Sequence, residues 1–287
     1  MKVLIVGSNG QLGCELQRTC PSGIKISAKD YPDIDITKDK SLKLVIDKEA
    51  PDWIINSAAY TNVDDAEEEP EKAHAVNCEG AKNLACEALR INARLVHIST
   101  DFVFNGNNCR PYKPLDPPDP QSVYGKTKLD GESAVLNILK EDALIIRTAW
   151  LYSSHGNNFV YTMLRLMKEK KELTIIDDQI GSPTWANGLA KTIWAAMEKG
   201  IKGIFHWTDA GVASWYDFAV AIQDEAIDAG ILSKRISILP IPTEKYLTLA
   251  KRPSFSVLDK RDLLDATGLL SVHWRIQLRQ MIREVTH

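Results

Sequence analysis

The chain has 287 residues, of which 44% are hydrophobic and 25% are charged, and its formal net charge is −3. This composition is typical of a globular protein, and the small net charge argues against nucleic acid or an anionic membrane as a partner. The opening apolar run is short and ends at Gly7, so it predicts a buried strand rather than a signal peptide or a membrane span. The five cysteines form no CxxC pair and the six histidines are scattered, which favours a reduced, cytoplasmic protein without a zinc site.

A glycine-rich turn follows the first predicted strand, residues 2–6. Gly7, Gly10 and Gly13 have G-x-x-G-x-x-G spacing and open a helical pattern. Gly7 permits the tight turn, Gly10 lets the backbone approach a pyrophosphate, and Gly13 lets the helix pack against the strand. A plain glycine turn is the alternative, but the strand–turn–helix context favours a dinucleotide site at the helix N-terminus.

Two acidic positions bear on which dinucleotide binds. Asp30 follows a second predicted strand, 24–27, where it is placed to accept hydrogen bonds from the adenosine ribose and to repel a 2′-phosphate. The neighbouring Lys29 would attract that phosphate, so the sequence leaves NADH and NADPH both open. Asp35 and Ile36 are placed along the adenine edge, with helix capping by Asp35 as the alternative.

Strands and helices alternate through the first half of the chain. Further strands are predicted at 51–56, 94–99 and 143–147, and helices at 39–49, about 71–91 and roughly 122–140. This order predicts an α/β fold with a Rossmann-type doubly wound parallel sheet, whose ligand site lies beyond the carboxyl ends of the strands. The small residues Ala58 and Ala59 follow one strand end, where they favour either a closely bound dinucleotide or close helix packing.

Tyr124 and Lys128 lie about one helical turn apart at the start of helix 122–140, so both side chains leave the same face. An ammonium beside a phenol favours the phenolate, so Lys128 predicts a lowered pKa for Tyr124. A phenol tuned in this way suits proton transfer at neutral pH. Such a pair also occurs by chance on helix surfaces, but Thr100 at a strand end and the glycine turn favour catalysis here.

The alternation loosens after Trp150. Helices are predicted from 156–159 to about 170, at 185–198, at 214–229 and from about 274, with strands at 173–176, 203–207 and 256–258. We interpret 1–150 as a dinucleotide-binding domain and 151–287 as mainly a smaller substrate-binding lobe, whose segments can return to the sheet.

Several longer blocks carry a more specific resemblance, at 7–13, 99–106, 124–132, 147–150, 156–159, 178–184 and 252–253. With these blocks the chain resembles the dTDP-4-dehydrorhamnose reductase family of the extended short-chain dehydrogenase/reductase superfamily over nearly its whole length. The resemblance implies NAD(P)H-dependent reduction of the C4 ketone of dTDP-4-dehydro-β-L-rhamnose to dTDP-L-rhamnose.

The resemblance also implies roles for individual residues. Tyr124 would donate the proton, Lys128 would hold the nicotinamide ribose, and Thr100 would hydrogen-bond the substrate oxygen. On the substrate side, Asp101 would bind the sugar, Trp150 would form an apolar wall, and Asn158, Phe159 and Arg252 are further candidates, Arg252 toward the diphosphate. The implied cofactor contacts are Gly7, Gly10, Gln11, Leu12, Gly13, Asp30, Asp35, Ile36, Ala58, Ala59, Tyr60, Ile98, Tyr124 and Lys128.

The chain also departs from this family. Members that dimerise through magnesium use three glutamates; Glu15 and Glu284 match two of them, but Asn187 stands at the third, which leaves Mg²⁺ and a monomer or homodimer open. Phe102 replaces a tyrosine that often follows the Thr-Asp pair. The alternative functions are a nucleotide-bound regulatory subunit resembling the methionine adenosyltransferase beta subunit, and another sugar-nucleotide ketoreductase or epimerase.

Overall fold

The structure, a computed structural model, describes residues 1–285, apart from the side chain of Glu141. Its strands are β1 (Lys2–Val6), β2 (Lys25–Lys29), β3 (Trp53–Asn56), β4 (Arg94–Thr100), β5 (Ala143–Thr148), β6 (Leu151–Tyr152), β7 (Glu172–Ile176), β8 (Ile180–Gly181), β9 (Thr184–Trp185), β10 (Gly203–His206), β11 (Ala213–Ser214) and β12 (Ser237–Ile241). Its α-helices are α1 (Gln11–Arg18), α2 (Asp39–Glu49), α3 (Val63–Glu68), α4 (Pro70–His74), α5 (Ala81–Arg90), α6 (Val123–Leu139), α7 (Phe159–Glu169), α8 (Ala186–Glu198), α9 (Trp215–Asp228), α10 (Arg261–Thr267) and α11 (Trp274–Val285).

Six strands form one parallel sheet in the order β2-β1-β3-β4-β5-β10. The chain moves outward from β1 to β2 and then returns to the other side of β1 at β3, so the winding direction reverses between β1 and β3. Ligands of doubly wound sheets bind beyond the carboxyl ends of the strands at such a reversal. The predicted Rossmann-type fold is confirmed.

Both faces of the sheet are covered by helices, which explains why its central strands are continuous apolar runs. One face packs against α1 and α8 through residues such as Leu16 and Ile193. The other face packs against α2, α5 and α6 through residues such as Ile46 and Leu84. The carboxyl ends of the strands therefore emerge from a rigid, buried layer.

The second half builds a separate apolar cluster in which α7, α9 and α11 surround Phe218. Two other segments of the second half, β10 and α8, lie on the large sheet instead. β10 pairs with β5, and α8 packs against α1. The division at residue 150 stays a prediction. The predicted strand at 256–258 is wrong: an isolated bridge joins Leu258 to Tyr112, because too few residues pair to form a ladder.

The predicted helix 71–91 is interrupted by a π-helical turn, Ala75–Gly80. This turn directs the buried Asn77 side chain, whose Oδ1 accepts from the Tyr60 backbone N–H at 2.8 Å. Its Nδ2 donates to Thr127 Oγ1 on α6 at 3.1 Å. Asn77 therefore fixes the loop after β3 against α6. No helix within residues 1–285 combines the length and the apolar character needed to traverse a bilayer.

Candidate active site

A cleft of about 1030 Å³ opens at the carboxyl ends of the central strands. Most of the residues singled out from the sequence line it: Gly7, Gly10, Gln11, Leu12, Asp30, Asp35, Ile36, Ala58, Ala59, Ile98, Thr100, Asp101, Tyr124, Lys128, Trp150 and Asn158. Four of them do not: Gly13, Tyr60, Phe159 and Arg252.

The glycine turn forms one end of this cleft. Gly7 has φ 79°, and a Cβ there would lie 2.5 Å from the Ala58 nitrogen. A Cβ on Gly13 would lie 2.2 Å from the Gly7 carbonyl oxygen, so Gly13 serves the packing of α1 rather than the cleft. A Cβ on Gly10 would meet only that oxygen within 4 Å, at 3.4 Å, among the described residues. The open side of Gly10 faces the cleft at the N-terminus of α1. These features fit a dinucleotide pyrophosphate.

The Asp30 carboxylate closes over the same turn. Its Oδ2 accepts from the Asn9 backbone N–H at 2.7 Å, and its Oδ1 accepts from the Tyr31 N–H at 2.8 Å. The neighbouring Lys29 ammonium is 3.6 Å from Glu49 Oε1. The Asp30 carboxylate therefore places a negative charge at this end of the cleft, and the adjacent Lys29 ammonium already has a partner.

Asp35 and Ile36 also line the cleft. Asp35 Oδ1 accepts from the backbone N–H and the hydroxyl of Thr37, at 3.0 and 2.7 Å. Asp35 thus fixes a turn and lines the cleft at once. The alternative of helix capping by Asp35 is wrong, because the N-cap of α2 is Lys38 and no side chain caps that helix.

Thr100 ends β4 and is buried, together with Asp101. The Thr100 hydroxyl donates to Asp101 Oδ1 at 3.0 Å and accepts from the Phe102 N–H at 3.2 Å. Burial raises the pKa of Asp101 to about 6. The Phe102 ring packs edge-on against Tyr124, with 5.5 Å between centroids. A phenylalanine here thus supports the Tyr124 ring by packing alone.

Tyr124 and Lys128 leave the same face of α6, as predicted, and both line the cleft. Burial raises the pKa of Tyr124 to about 12; Thr100 opposes this shift and Asp101 adds to it. The prediction that Lys128 lowers the pKa of Tyr124 is therefore wrong. The reason is geometric: the Lys128 ammonium donates to the Ile98 carbonyl oxygen at 2.6 Å.

Lys128 is itself strongly affected by its surroundings. It is 2% exposed, and burial lowers its pKa to about 8, against the opposing effect of Glu132. Glu132 forms a buried ion pair with Arg147 at 2.6 Å and accepts a short hydrogen bond from Ser99. The 124–132 and 147–150 blocks thus join behind the cleft. The sequence alone did not predict this ion pair, although Glu132 and Arg147 lie within the two blocks.

Trp150 forms the apolar wall, and its neighbours come from the second half of the chain. It stacks on Trp215 with 3.6 Å between ring centroids, and its backbone has φ 48°. Asn158 caps α7 by accepting from the Tyr161 N–H, and its Nδ2 donates to Gln11 Oε1 at 3.1 Å. Asn158 therefore links the start of α7 to Gln11 beside the glycine turn.

Besides Gly13, the three residues that lie outside the cleft have partners elsewhere. Arg252 pairs with Asp64 at 2.6 Å, and neither residue lines the cleft. Phe159 packs on Trp215 with 4.7 Å between centroids, and so supports the Trp150 wall from behind. Tyr60 donates to Glu69 at 2.7 Å.

The cleft also contains polar residues to which the sequence assigned no role, among them Thr148, Lys72 and Thr61. Thr148 Oγ1 is buried and has no hydrogen-bond partner among the described residues. Thr148 ends β5 opposite Thr100 at the end of β4. That strand-end position is the sequence signal that would have identified Thr148 as a cleft residue.

The positions implied for magnesium lie together but do not suit the ion. Arg18 binds Glu15 at 2.8 Å and Glu284 at 3.0 Å, and Asn187 Nδ2 donates to Glu15 at 2.9 Å. A single guanidinium thus pairs with both carboxylates, and an amide that donates stands where a third carboxylate is needed.

A second group of metal-ligating side chains lies on α4 and the π turn. His74, Cys78 and Glu79 bring ligand atoms within 4.8 Å of one another, a proximity that the scattered histidines did not predict. Glu79 is already paired with Lys82 at 2.9 Å, and the group lies outside the cleft.

The known proteins to which this chain is similar match it over nearly its whole length. Residues 1–287 match the model of the RmlD substrate binding domain. The chain is 41% identical to the spore coat polysaccharide biosynthesis protein SpsK of Bacillus subtilis, over 99% of this chain and 97% of that one. It is 40% identical to the dTDP-4-dehydrorhamnose reductase of Aggregatibacter actinomycetemcomitans, over 98% of each. The dTDP-4-dehydrorhamnose reductase of Bacillus anthracis, solved in complex with NADP, is 36% identical over 99% of each chain, with a TM-score of 0.93.

Proposed function

The chain belongs to the RmlD substrate binding domain family, and from that premise we propose that it reduces the C4 ketone of dTDP-4-dehydro-β-L-rhamnose to dTDP-L-rhamnose with NADPH or NADH. The comparisons confirm the family and the oxidoreductase class that were predicted from the sequence. One observation carries the assignment of the reaction to this cleft: Thr100, Tyr124 and Lys128 line the same cleft as the glycine turn.

The dinucleotide would lie with its pyrophosphate at Gly10 and Gln11 and its adenosine end toward Asp30 and Ile36. When bound, its reduced nicotinamide supplies the hydride that C4 receives. The protein's own groups must then stabilise and protonate the alkoxide oxygen that develops at that carbon.

Tyr124 is the proton donor in this proposal. Because its pKa is raised to about 12, it keeps its proton at neutral pH and can release it only to a strong base. An alkoxide is far more basic than a phenolate, so transfer becomes favourable as the hydride arrives. Thr100 adds a second hydrogen bond to the same oxygen. The Lys128 ammonium, held by the Ile98 carbonyl, would bind the nicotinamide ribose, the role that the resemblance implies for it.

The sugar would lie against Trp150, with Asp101, Asn158 and Thr148 offering polar contacts. The Thr148 hydroxyl has no partner in the part of the chain that the structure describes. An indole face suits the apolar edge of a 6-deoxy sugar. Phe159 acts through Trp215 rather than by contact, and Arg252 orders the loop around Asp64. A role for Arg252 at the diphosphate requires this ion pair to open.

Asp30 also bears on cofactor preference. Its carboxylate would accept from ribose hydroxyls and repel a 2′-phosphate, while Glu49 holds Lys29. We infer that Asp30 biases the site toward NADH without excluding NADPH. At the Glu15–Arg18–Glu284 cluster we propose that no Mg²⁺ binds, so that a dimer, if one forms, does not depend on the ion.

The direct test is turnover. The protein is mixed with NADPH or NADH and enzymatically prepared dTDP-4-dehydro-β-L-rhamnose, and nicotinamide absorbance is followed while the product is identified by NMR. We expect oxidation of the cofactor matched by dTDP-L-rhamnose, and its loss in Tyr124→Phe. If both cofactors bind and neither is oxidised, the assignment fails and a regulatory, nucleotide-bound role is favoured; product from a different keto sugar would instead favour another ketoreductase.

A further inference from the structure

The Thr100 hydroxyl has a single hydrogen, and in the structure that hydrogen is directed to Asp101 Oδ1 at 3.0 Å. Its oxygen also accepts from the Phe102 N–H. The proposed function, on which this inference rests, requires Thr100 to donate to the substrate oxygen instead. One hydrogen cannot serve both acceptors, so the Asp101 carboxylate competes with the substrate.

The surroundings of the Asp101 carboxyl allow both the protonated and the ionised form. The residue is 2% exposed, and its Oδ2 has no hydrogen-bond partner within residues 1–285. Burial raises its pKa to about 6, although interactions with Ser256 and Thr100 favour the ionised form. A carboxyl buried in this way changes its charge close to neutral pH.

The two states arrange the donors differently. An ionised Asp101 only accepts, so it takes the Thr100 hydrogen and leaves the Thr100 oxygen to accept from Tyr124. A protonated Asp101 can donate to Thr100, so that the hydrogens of Thr100 and Tyr124 are both free to point at one substrate oxygen. Only the second arrangement presents two donors to the developing alkoxide.

We propose that Asp101 is a positioning residue whose carboxyl proton sets the donor direction of the Thr100 hydroxyl, and that reduction proceeds from the protonated carboxyl. Asp101 keeps its proton throughout the reaction. The proton that reaches the substrate comes from Tyr124, and the hydride comes from the dinucleotide.

The charged groups around Asp101 allow its titration to be read separately. From α6, Tyr124 and Lys128 face the same cleft, with pKa values of about 12 and about 8. On the neighbouring strand Arg147 is neutralised by Glu132. The loop that carries Ser256 contributes Arg252, which is neutralised by Asp64. A change in rate near pH 6 therefore reports on Asp101.

The test is the pH profile of kcat/KM from about pH 5 to about pH 7.5, with binding of the dinucleotide measured alongside. For the wild-type protein we expect a decline that approaches about tenfold per pH unit above pH 6. In Asp101→Asn this decline should vanish, because the amide does not titrate and can donate to Thr100. Loss of the Ser256 hydroxyl in Ser256→Ala removes a group that favours the carboxylate, so the midpoint should move to higher pH.

A flat wild-type profile would overturn the inference, as would an unchanged decline in Asp101→Asn or a midpoint in Ser256→Ala that stays in place or falls. The Ser256 variant keeps the test decisive if Asp101→Asn does not fold. These outcomes are distinct from failure of the proposed function, which would appear as absence of wild-type turnover at every pH.

Discussion

The indole rings of Trp150 and Trp215 lie flat against each other, with centroids 3.6 Å apart and planes 5° from parallel. Trp150 follows β5 with φ 48°, a conformation that is costly for a bulky residue and that the surroundings must impose. A Cβ on Gly181 would lie 2.5 Å from the Trp150 ring, so Gly181 packs directly against the indole. The wall of the cleft therefore depends on residues far along the chain.

Replacement of Trp215 by alanine should weaken substrate binding more than catalysis. A stacked aromatic pair contributes about 0.5–1.5 kcal/mol, so we expect KM for the sugar nucleotide to rise about threefold to tenfold. KM for NADPH should change little, because Trp215 supports Trp150 and Phe159 on the sugar side and not the glycine turn. Trp215→Phe, which keeps a ring, is the matched control and should stay close to wild type. Equal increases in both KM values would point to general damage instead.

Tyr124→Phe should abolish most turnover and leave dinucleotide affinity nearly intact. The variant retains the ring that packs on Phe102 and removes only the hydroxyl. A positioned general acid contributes about 10²–10⁴ in rate, so kcat should fall by that factor. Steady-state kinetics and a fluorescence titration with NADPH measure the two effects. A variant with nearly normal kcat would exclude Tyr124 as the donor.

The sequence sufficed for features that repeat locally. The glycine spacing, the strand-end position of Thr100 and the one-turn separation of Tyr124 and Lys128 are each set by a few consecutive residues, and parallel strands bring their ends to one edge. The direction of the Lys128 ammonium was not predictable in this way. It is set by the Ile98 carbonyl, 30 residues away, and the expected effect on Tyr124 failed for that reason.

Long-range pairs were beyond the same argument. Arg252 and Asp64 are 188 residues apart, and nothing near either one indicates that they meet. The π turn at Ala75–Gly80 likewise follows from packing: a Cβ on Gly80 would lie 2.6 Å from the Ile36 side chain, and Asn77 must reach both Tyr60 and Thr127. Helical periodicity alone predicts an uninterrupted helix there.

Lys128→Met should stabilise the protein while disabling it. Burial lowers the Lys128 pKa from 10.5 to about 8, so the folded state binds this proton less tightly than the unfolded state. The cost of the buried charge is fully present below pH 8 and disappears as pH rises toward 10.5. At pH 7 the variant should therefore gain up to about 3 kcal/mol in unfolding free energy.

Denaturant unfolding of wild type and Lys128→Met at several pH values measures this effect. The difference between them should shrink between pH 8 and 10.5. Lys128→Arg, which keeps the charge, should not gain stability. A gain that is independent of pH would trace to packing rather than to the buried ammonium.

Asp30→Asn should shift cofactor preference toward NADPH. The amide oxygen can still accept from the backbone N–H of Asn9, but the negative charge that repels a 2′-phosphate is gone. A change of about 1.4 kcal/mol corresponds to a tenfold ratio, and we expect the ratio of kcat/KM for NADPH to that for NADH to rise about that much. Lys29→Ala is the control. Because Lys29 is paired with Glu49, its removal should change the ratio less; a larger effect there would assign the preference to Lys29.

Removal of divalent cations should leave wild-type turnover and thermal stability unchanged, because Arg18 already bridges Glu15 and Glu284. Arg18→Ala should lower stability, since Glu15 is fully buried and would lose its charged partner. Leaving such a group unsatisfied costs about 1–3 kcal/mol, reduced somewhat here because Arg18 is 41% exposed.

Thermal unfolding with EDTA or added Mg²⁺ separates these effects. The double variant Arg18→Ala with Glu15→Gln should recover part of the loss, because the glutamine leaves no charge to neutralise and can still accept from Asn187. If EDTA lowers the melting temperature or activity of the wild-type protein, and Mg²⁺ restores it, then the cluster holds a metal ion despite Arg18, and the assignment of the guanidinium as its resident cation is wrong.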